Sequence, residues 1–333
     1  MKSNRVQLLI GGLLAVGLLW ISLRGVDYAA LGASLASARY WLLLPAFGLT
    51  LLAFLVRALR WGILLRTIKP MPAGSLYAAT MIGFMANNVL PARLGEFARA
   101  WSLGRQEGVS RSTVFATVVV ERVIDVFCLL CLFAGALLVH PFPQEARTGA
   151  YIALGLNLCL VALLLWAERN PDPVRRLSAW AAAKSPARLR PRVESMGANF
   201  LLGVGVLRHG RAMLEVAGYS VLLYGVTILG IHVCLWAFPF DVPWYASLVL
   251  LVTLTLGFVV APTPGYVGSV QVACRWSLAL FGISPSAAFS FSLFYHVSQF
   301  VPITAAGLWY LARQNVSLSE AAGAAGKEAK EIA

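Results

Sequence analysis

Charge is scarce in this chain. Only 12% of its 333 residues are Asp, Glu, Lys or Arg, whereas soluble globular domains carry roughly 25%. With 59% hydrophobic residues and a mean hydropathy of +0.76, that scarcity excludes a soluble domain and points to a polytopic membrane protein. The chain also offers no phosphate-binding glycine loop, no metal-ligand cluster and no Ser/His/Asp set, so no catalytic residue, metal or cofactor is assigned. The five cysteines (Cys128, Cys131, Cys159, Cys234 and Cys274) lie in or beside apolar segments. Cys128 and Cys131 form a CxxC with no His or Cys cluster nearby, and they read as small core residues. After Arg313 the stretch 314–333 is rich in Ala, Gly, Lys and Glu. It is expected to be a disordered cytoplasmic tail, too short for a catalytic domain.

The charge that is present is unevenly placed. The net charge is +13, and nine Lys or Arg fall between Arg169 and Arg211. One hydrophilic connection holding so many cations is what the positive-inside rule produces, and it argues against nucleic acid as a partner. A basic cytoplasmic loop over 168–213 is expected. Pro171, Pro173, Pro186 and Pro191 forbid one long helix there, and Trp180 among arginines suggests a segment lying on the membrane surface.

Apolar runs begin near Val6, Tyr40, Ser75, Thr113, Tyr151, Leu214, Trp244 and Pro285. If each crossed the bilayer, the loop carrying Arg93, Arg99, Arg105 and Arg111 and the basic loop would both face outward, against the rule. A re-entrant hairpin over Ser75 to about Leu103 makes both loops cytoplasmic. A second hairpin over Trp244–Gly282, broken at Pro262–Gly265, gives the order span, hairpin, span twice. The fold expected is therefore an all-α transmembrane bundle. It has about six full spans plus two re-entrant broken-helix hairpins, in an inverted repeat of units 40–139 and 214–312 within a domain covering 1–313. Inverted repeats with broken helices meeting near the midplane are a recurring transporter plan.

Polar residues interrupt the grease at a few places. The stretch 84–101, FMANNVLPARLGEFARAW, breaks at Asn87, Asn88 and Pro91 and restarts with Arg93, Glu96 and Arg99. Broken backbone at membrane depth requires surrounding protein or a water-filled cavity, although a short loop at the bilayer surface would have the same sequence. Arg57 and Arg60 share a helix face and read either as snorkelling cations with Trp61 as interface anchor or as lipid-phosphate contacts. Glu121 and Asp125 also share a face, with Arg122 beside them. They need a cationic partner, which Arg93, Arg99 or Arg122 would supply, and a purely structural ion-pair network competes with a gating role.

These residues carry a resemblance. RALRW (57–61), NNVLPARLGEFARAW (87–101), ERVID (121–125) and PTPGYVG (262–268) resemble, in order, the membrane domain of lysylphosphatidylglycerol synthases and the stand-alone flippase-like proteins that share it. The resemblance implies a bacterial or archaeal multi-pass protein of the cytoplasmic (inner) membrane, with both termini cytoplasmic, that moves an anionic phospholipid or a polyprenyl or glycolipid by alternating access. Arg57, Arg60, Asn87, Asn88, Arg93, Glu96 and Arg99 would bind the headgroup, with Glu121, Arg122 and Asp125 as gating ion pairs. Pro91, Gly95, Pro264, Gly265 and Gly268 would bring backbone close to it. Where the family often has Glu and Arg in its second half, this chain has Gln271 and His296, which are expected to face each other as a neutral pair. Two alternatives stand beside the flippase reading: a non-catalytic scaffold partnered with lipid-synthesis enzymes, and an intramembrane headgroup transferase using Glu96 or Asp125 as base.

Overall fold

The computed structural model describes residues 2–90, 94–140, 142, 144–186, 190, 197–202, 205, 209–260, 263–318, 320, 323 and 326. All regular structure among them is helical, as expected of an all-α membrane bundle. Helix α1 (Lys2–Leu23) is followed by α2 (Tyr28–Ser37), turned by 91° from it. The short α2 has no counterpart in the expected layout; Asp27 starts it by accepting from the backbone N–H of Ala29 at 2.8 Å, as an N-cap should. Then come α3 (Leu43–Leu65), α4 (Ala73–Val89), α5 (Gly95–Glu107), α6 (Arg111–Val139), α7 (Gln144–Arg169) and α8 (Pro171–Lys184). The second half contributes α9 (Gly210–Trp236), α10 (Ala246–Val260), α11 (Ser269–Ala279) and α12 (Pro285–Arg313).

By length and apolarity, four of these helical stretches can cross a bilayer: Tyr40–Leu65, Arg111–Val139, Arg147–Arg169 and Gly210–Trp236. The bent pair α1–α2 makes a fifth. Helix α12 equals them in length but carries His296, Ser298 and Gln299; it buries one face, with Ser290, Ser292 and Ser298, and exposes Val297, Val301, Leu308 and Trp309 on another. Helices α4 and α10 are shorter, and each folds back on the helix after it, α5 and α11, across a break. Gly83 and Gly95 allow the first fold-back: a Cβ on Gly95 would collide with the carbonyl of Gly83 and the side chain of Asn87. The second break turns through Gly265 at φ +59° and Gly268 at φ +84°, a region that glycine occupies without penalty.

The two halves pack by one scheme. Within the first, α3 packs on α4, α4 on α5, α5 on α6 and α3 on α6; within the second, α9 on α10, α10 on α11, α11 on α12 and α9 on α12. Between them α4 meets α12 as α10 meets α6, and α3 lies directly on α9. One constant offset along the chain carries Gly83 to Gly257, Gly95 to Ser269 and Arg99 to Ala273, and these are the residues where each hairpin closes on itself. The same offset carries Thr50 to Tyr224 and Asp125 to Gln299, and it carries one contact onto another: Gln299 donates to Thr50, and Tyr224 donates to the Asp125 carbonyl.

Residues Gln314–Leu318 fold back on the bundle. Val316 is buried and packs with Ile82, Met85, Trp101 and Leu311, which shortens the stretch expected to be a disordered tail; most of 319–333 lies outside the described residues. In the basic loop, α8 begins at Pro171 with Asp172 in its first turn, where proline's fixed φ and missing N–H are tolerated.

Candidate functional site

Four arginines and two acids converge where α3, α5 and α6 meet. Asp125 Oδ2 lies 2.7 Å from Arg57 Nη1, and its Oδ1 lies 2.5 Å from Arg60 Nη2. Glu121 Oε1 is 3.3 Å from both of those arginines, and its Oε2 is 2.7 Å from Arg99 Nη1, an ion pair off the line of a hydrogen bond. Arg122 Nη2 is 3.4 Å from each acid. Helical periodicity explains the convergence: Arg57 and Arg60 sit one turn apart on α3, and Glu121 and Asp125 one turn apart on α6. The first hairpin then brings Arg99 over Glu121.

The cluster is dry on one side and wet on the other. The side chains of Arg60 and Glu121 are 0% exposed and that of Arg99 2%, while Arg57 is 16% and Arg122 38% exposed. Arg99 stacks over the Trp61 ring at 3.7 Å, and the Trp61 indole donates to Thr117 at 3.0 Å. Trp61 is fully buried, which overturns the reading of Arg57 and Arg60 as snorkelling cations with an interface anchor. Setting four cations against two carboxylates leaves donors over: Arg60 Nε, Arg99 Nε, Arg99 Nη2 and Arg122 Nε have no acceptor among the described residues.

A cavity of about 390 Å³ opens beside the cluster, between the two halves of the bundle. Arg57, Arg122, Asp125, Asn87, Asn88 and Glu96 line it from the first half. Arg60 and Arg99 are buried behind that wall and do not line it. Glu96 has no ion-pair partner among the described residues, and Pro91 and Arg93 lie outside them. Asn87 Oδ1 accepts from Gly95 N–H at 2.8 Å, and Asn88 Nδ2 donates to Thr304 at 3.0 Å. Gly95 therefore serves helix contact instead of backbone approach to a ligand. Gly268 likewise packs on α1, where a Cβ would meet Leu18 and the Ala15 carbonyl, and Pro264 lies against Gly11. Gly265 does reach the cavity, near Asn88 and Phe300.

Gln271 and His296 face each other, as expected, with Nε2 to Nδ1 at 3.2 Å. Gln271 Oε1 already accepts from Gly268 N–H at 2.7 Å, so its amide nitrogen is the donor to His296 Nδ1. The ring is then the Nε2–H tautomer, donating to the Gly265 carbonyl at 2.9 Å. Sequence reasoning missed the partners Tyr224, Thr50 and Gln299, and also Ser220, whose hydroxyl accepts from Arg60 Nη1 at 3.1 Å. Of these only Gln299, an amide inside an apolar helix, carries a signal of its own.

A multi-pass helical membrane protein with an internal cavity beside an arginine-rich ion-pair cluster is the class this fold and site define. The chain belongs to the lysylphosphatidylglycerol synthase TM region family, which it matches over residues 8–307. It is 23% identical over 287 residues to a UPF0104 membrane protein of Methanothermobacter thermautotrophicus, an alignment covering 81% of this chain and 85% of that one. It is 24% identical over an alignment of 354 positions to Glycosyltransferase AglD of Haloferax volcanii, covering 96% of this chain. That alignment takes in 56% of the glycosyltransferase, so the chain spans little more than half of that protein's length. No solved structure matches the chain.

Proposed function

We propose that the protein carries an anionic, phosphate-bearing lipid between the leaflets of the cytoplasmic membrane by alternating access of the cavity. The observation that carries this reading is the excess of arginine in the ion-pair cluster: four guanidiniums share two carboxylates, and two of them, Arg57 and Arg122, reach the cavity wall, which Asp125 and Glu96 also line. A guanidinium's planar fork matches phosphate oxygens. Asp125 pairs with both of those guanidiniums. An entering phosphate competes with Asp125 for Arg57 and Arg122, while Arg60 and Arg99 stay behind the wall and keep both acids paired. That division avoids stranding a buried carboxylate, which costs about 3–5 kcal/mol. The matched packing of the two halves supports an inverted repeat whose hairpins exchange positions, and the basic loop supports cytoplasmic termini.

Liposomes containing the purified protein and a fluorescent anionic phospholipid test this. Movement above protein-free liposomes is expected, with loss of that movement in Arg122→Gln, a variant at the exposed edge of the cluster that still inserts. Movement undiminished in Arg122→Gln would sink the cavity assignment. A second reading rests on the similarity to a protein named a glycosyltransferase: a membrane unit that holds a lipid for an enzyme acting on it. It requires binding without net movement between leaflets.

A further inference from the structure

The two ends of the cavity differ in chemistry. Arg57 and Arg122 mark the charged end, and Gln299 marks the other. Gln299 Nε2 donates to Thr50 Oγ1 at 2.9 Å and to Ser298 Oγ at 3.3 Å. Thr50 gives its own proton to the Ser298 carbonyl at 3.2 Å, so its oxygen is an acceptor toward Gln299 and the amide orientation is fixed. Gln299 Oε1 is left as an acceptor with no partner among the described residues. Thr227 and Thr255 repeat the pattern, each donating at 2.8 Å to a carbonyl one turn back, Leu223 and Leu251. Their remaining capacity is lone pairs, and all three residues line the cavity. The lining acids, Glu96 and Asp125, both belong to the first half of the bundle. Thr50 and Arg57 are two turns apart on α3, which separates the ends by about 10 Å at 1.5 Å per residue.

We infer that the headgroup this cavity accepts is a phosphate bearing a neutral, hydroxyl-rich group, a phosphosugar or phosphopolyol; the inference rests on the anionic-lipid reading above. Hydroxyls donate to the acceptors of Gln299, Thr227 and Thr255 while the phosphate engages Arg57 and Arg122. Phe258 and Tyr266, packed together at 4.6 Å between centroids, line the same cavity and offer apolar faces to a ring. A bare phosphate leaves the acceptor end unmatched. A cationic aminoacyl group would also donate there, but a buried ammonium requires a counter-charge; the lining of the second half supplies none, and the group would have to reach Glu96 on the first half instead. A site built to hydrogen-bond hydroxyls discriminates against analogues that lack them.

Competition binding of the full-length protein in phosphatidylcholine nanodiscs, against a fluorescent phosphatidylglycerol, tests the inference. The competitors are phosphatidylinositol, phosphatidic acid, lysyl-phosphatidylglycerol, a diglucosyl diacylglycerol and a polyprenyl phosphosugar. Phosphatidylinositol or the polyprenyl phosphosugar is expected to bind about tenfold more tightly than phosphatidic acid, and whichever leads identifies the tail. The phosphate-free sugar lipid and the lysyl lipid are expected to be weaker than both. Gln299→Ala and, independently, Thr255→Val should bring the ratio of phosphatidylinositol to phosphatidic acid affinity towards one. Using a ratio and two variants separates the effect from general misfolding. Equal binding of phosphatidylinositol, polyprenyl phosphosugar and phosphatidic acid, or tightest binding of the lysyl lipid, overturns the inference and leaves the anionic reading standing. Failure of every phosphate lipid to bind overturns that reading itself.

Discussion

At the scale of single residues, the protein places polar atoms where the helix backbone would otherwise be left open. Pro302 has no N–H to give the carbonyl of Ser298 one turn back, and Thr50 donates there at 3.2 Å. Thr50→Val strands that carbonyl in an apolar interior, so a loss of about 1–3 kcal/mol is expected, read as a lower melting temperature in detergent. Asp125→Asn should cost more, about 3–5 kcal/mol, because it removes the charge that Arg57, Arg60 and Arg122 share. The neutral pair in the second half behaves differently. Gln271→Glu places a carboxylate against the bare Nδ1 of His296, and His296→Arg strands a cation; each alone should destabilise and the double variant should recover. Measured above the titration range of histidine, a coupling of about 0.5–3 kcal/mol is expected, and additive effects would show that the pair does not interact. This contact was legible in the sequence from two paired departures. The role of Arg60 was not, because nothing in RALRW distinguishes an arginine that faces a cavity from one sealed behind its wall.

At the scale of helices, the outer end of the first hairpin is pinned. Lys69, just after α3, donates to the Glu107 carboxylate at 3.1 Å at the end of α5. The Ser75 hydroxyl and then Lys69 hold the Glu107 carboxyl below its ordinary value, against opposition from partial burial. A depressed carboxyl stabilises the fold above its unfolded pKa of about 4.3 and loses that contribution as pH falls through the folded value. The melting temperatures of the protein and of Glu107→Gln should therefore differ near neutral pH and converge in acid. A difference that stays constant from neutral pH into strong acid would exclude the charge as its cause. Helix boundaries near Asn87–Gly95 and Pro262–Gly268 were readable because proline, glycine and asparagine punctuate apolar runs. Helix α2 was not readable, since YAALGASLAS has neither a long apolar run nor a break to mark it, and only its packing on α12 gives it a place.

At the scale of the whole molecule, the proposed orientation, which follows the positive-inside rule, is expected to put Arg105 and Ser185 on the cytoplasmic face. Single cysteines at these positions, in a background lacking the native five, should resist a membrane-impermeant thiol reagent in intact cells; labelling of both would overturn the re-entrant arrangement. The matched packing of the halves also has an energetic corollary. A carrier built from two equal halves would have two states of equal energy, and the empty protein would cycle freely between them. Here one half holds Arg99, Arg122 and Asp125, and the equivalent positions of the other are Ala273, His296 and Gln299. On the carrier reading proposed above the degeneracy is broken, so one state of the unliganded protein is the more populated, and a ligand shifts that balance only by its differential affinity for the two states. An empty carrier biased in this way spends less time in its second state than a symmetric one would. Spin labels on α5 and α11 should then report one dominant separation in neutral lipid and a second only when an anionic lipid is added.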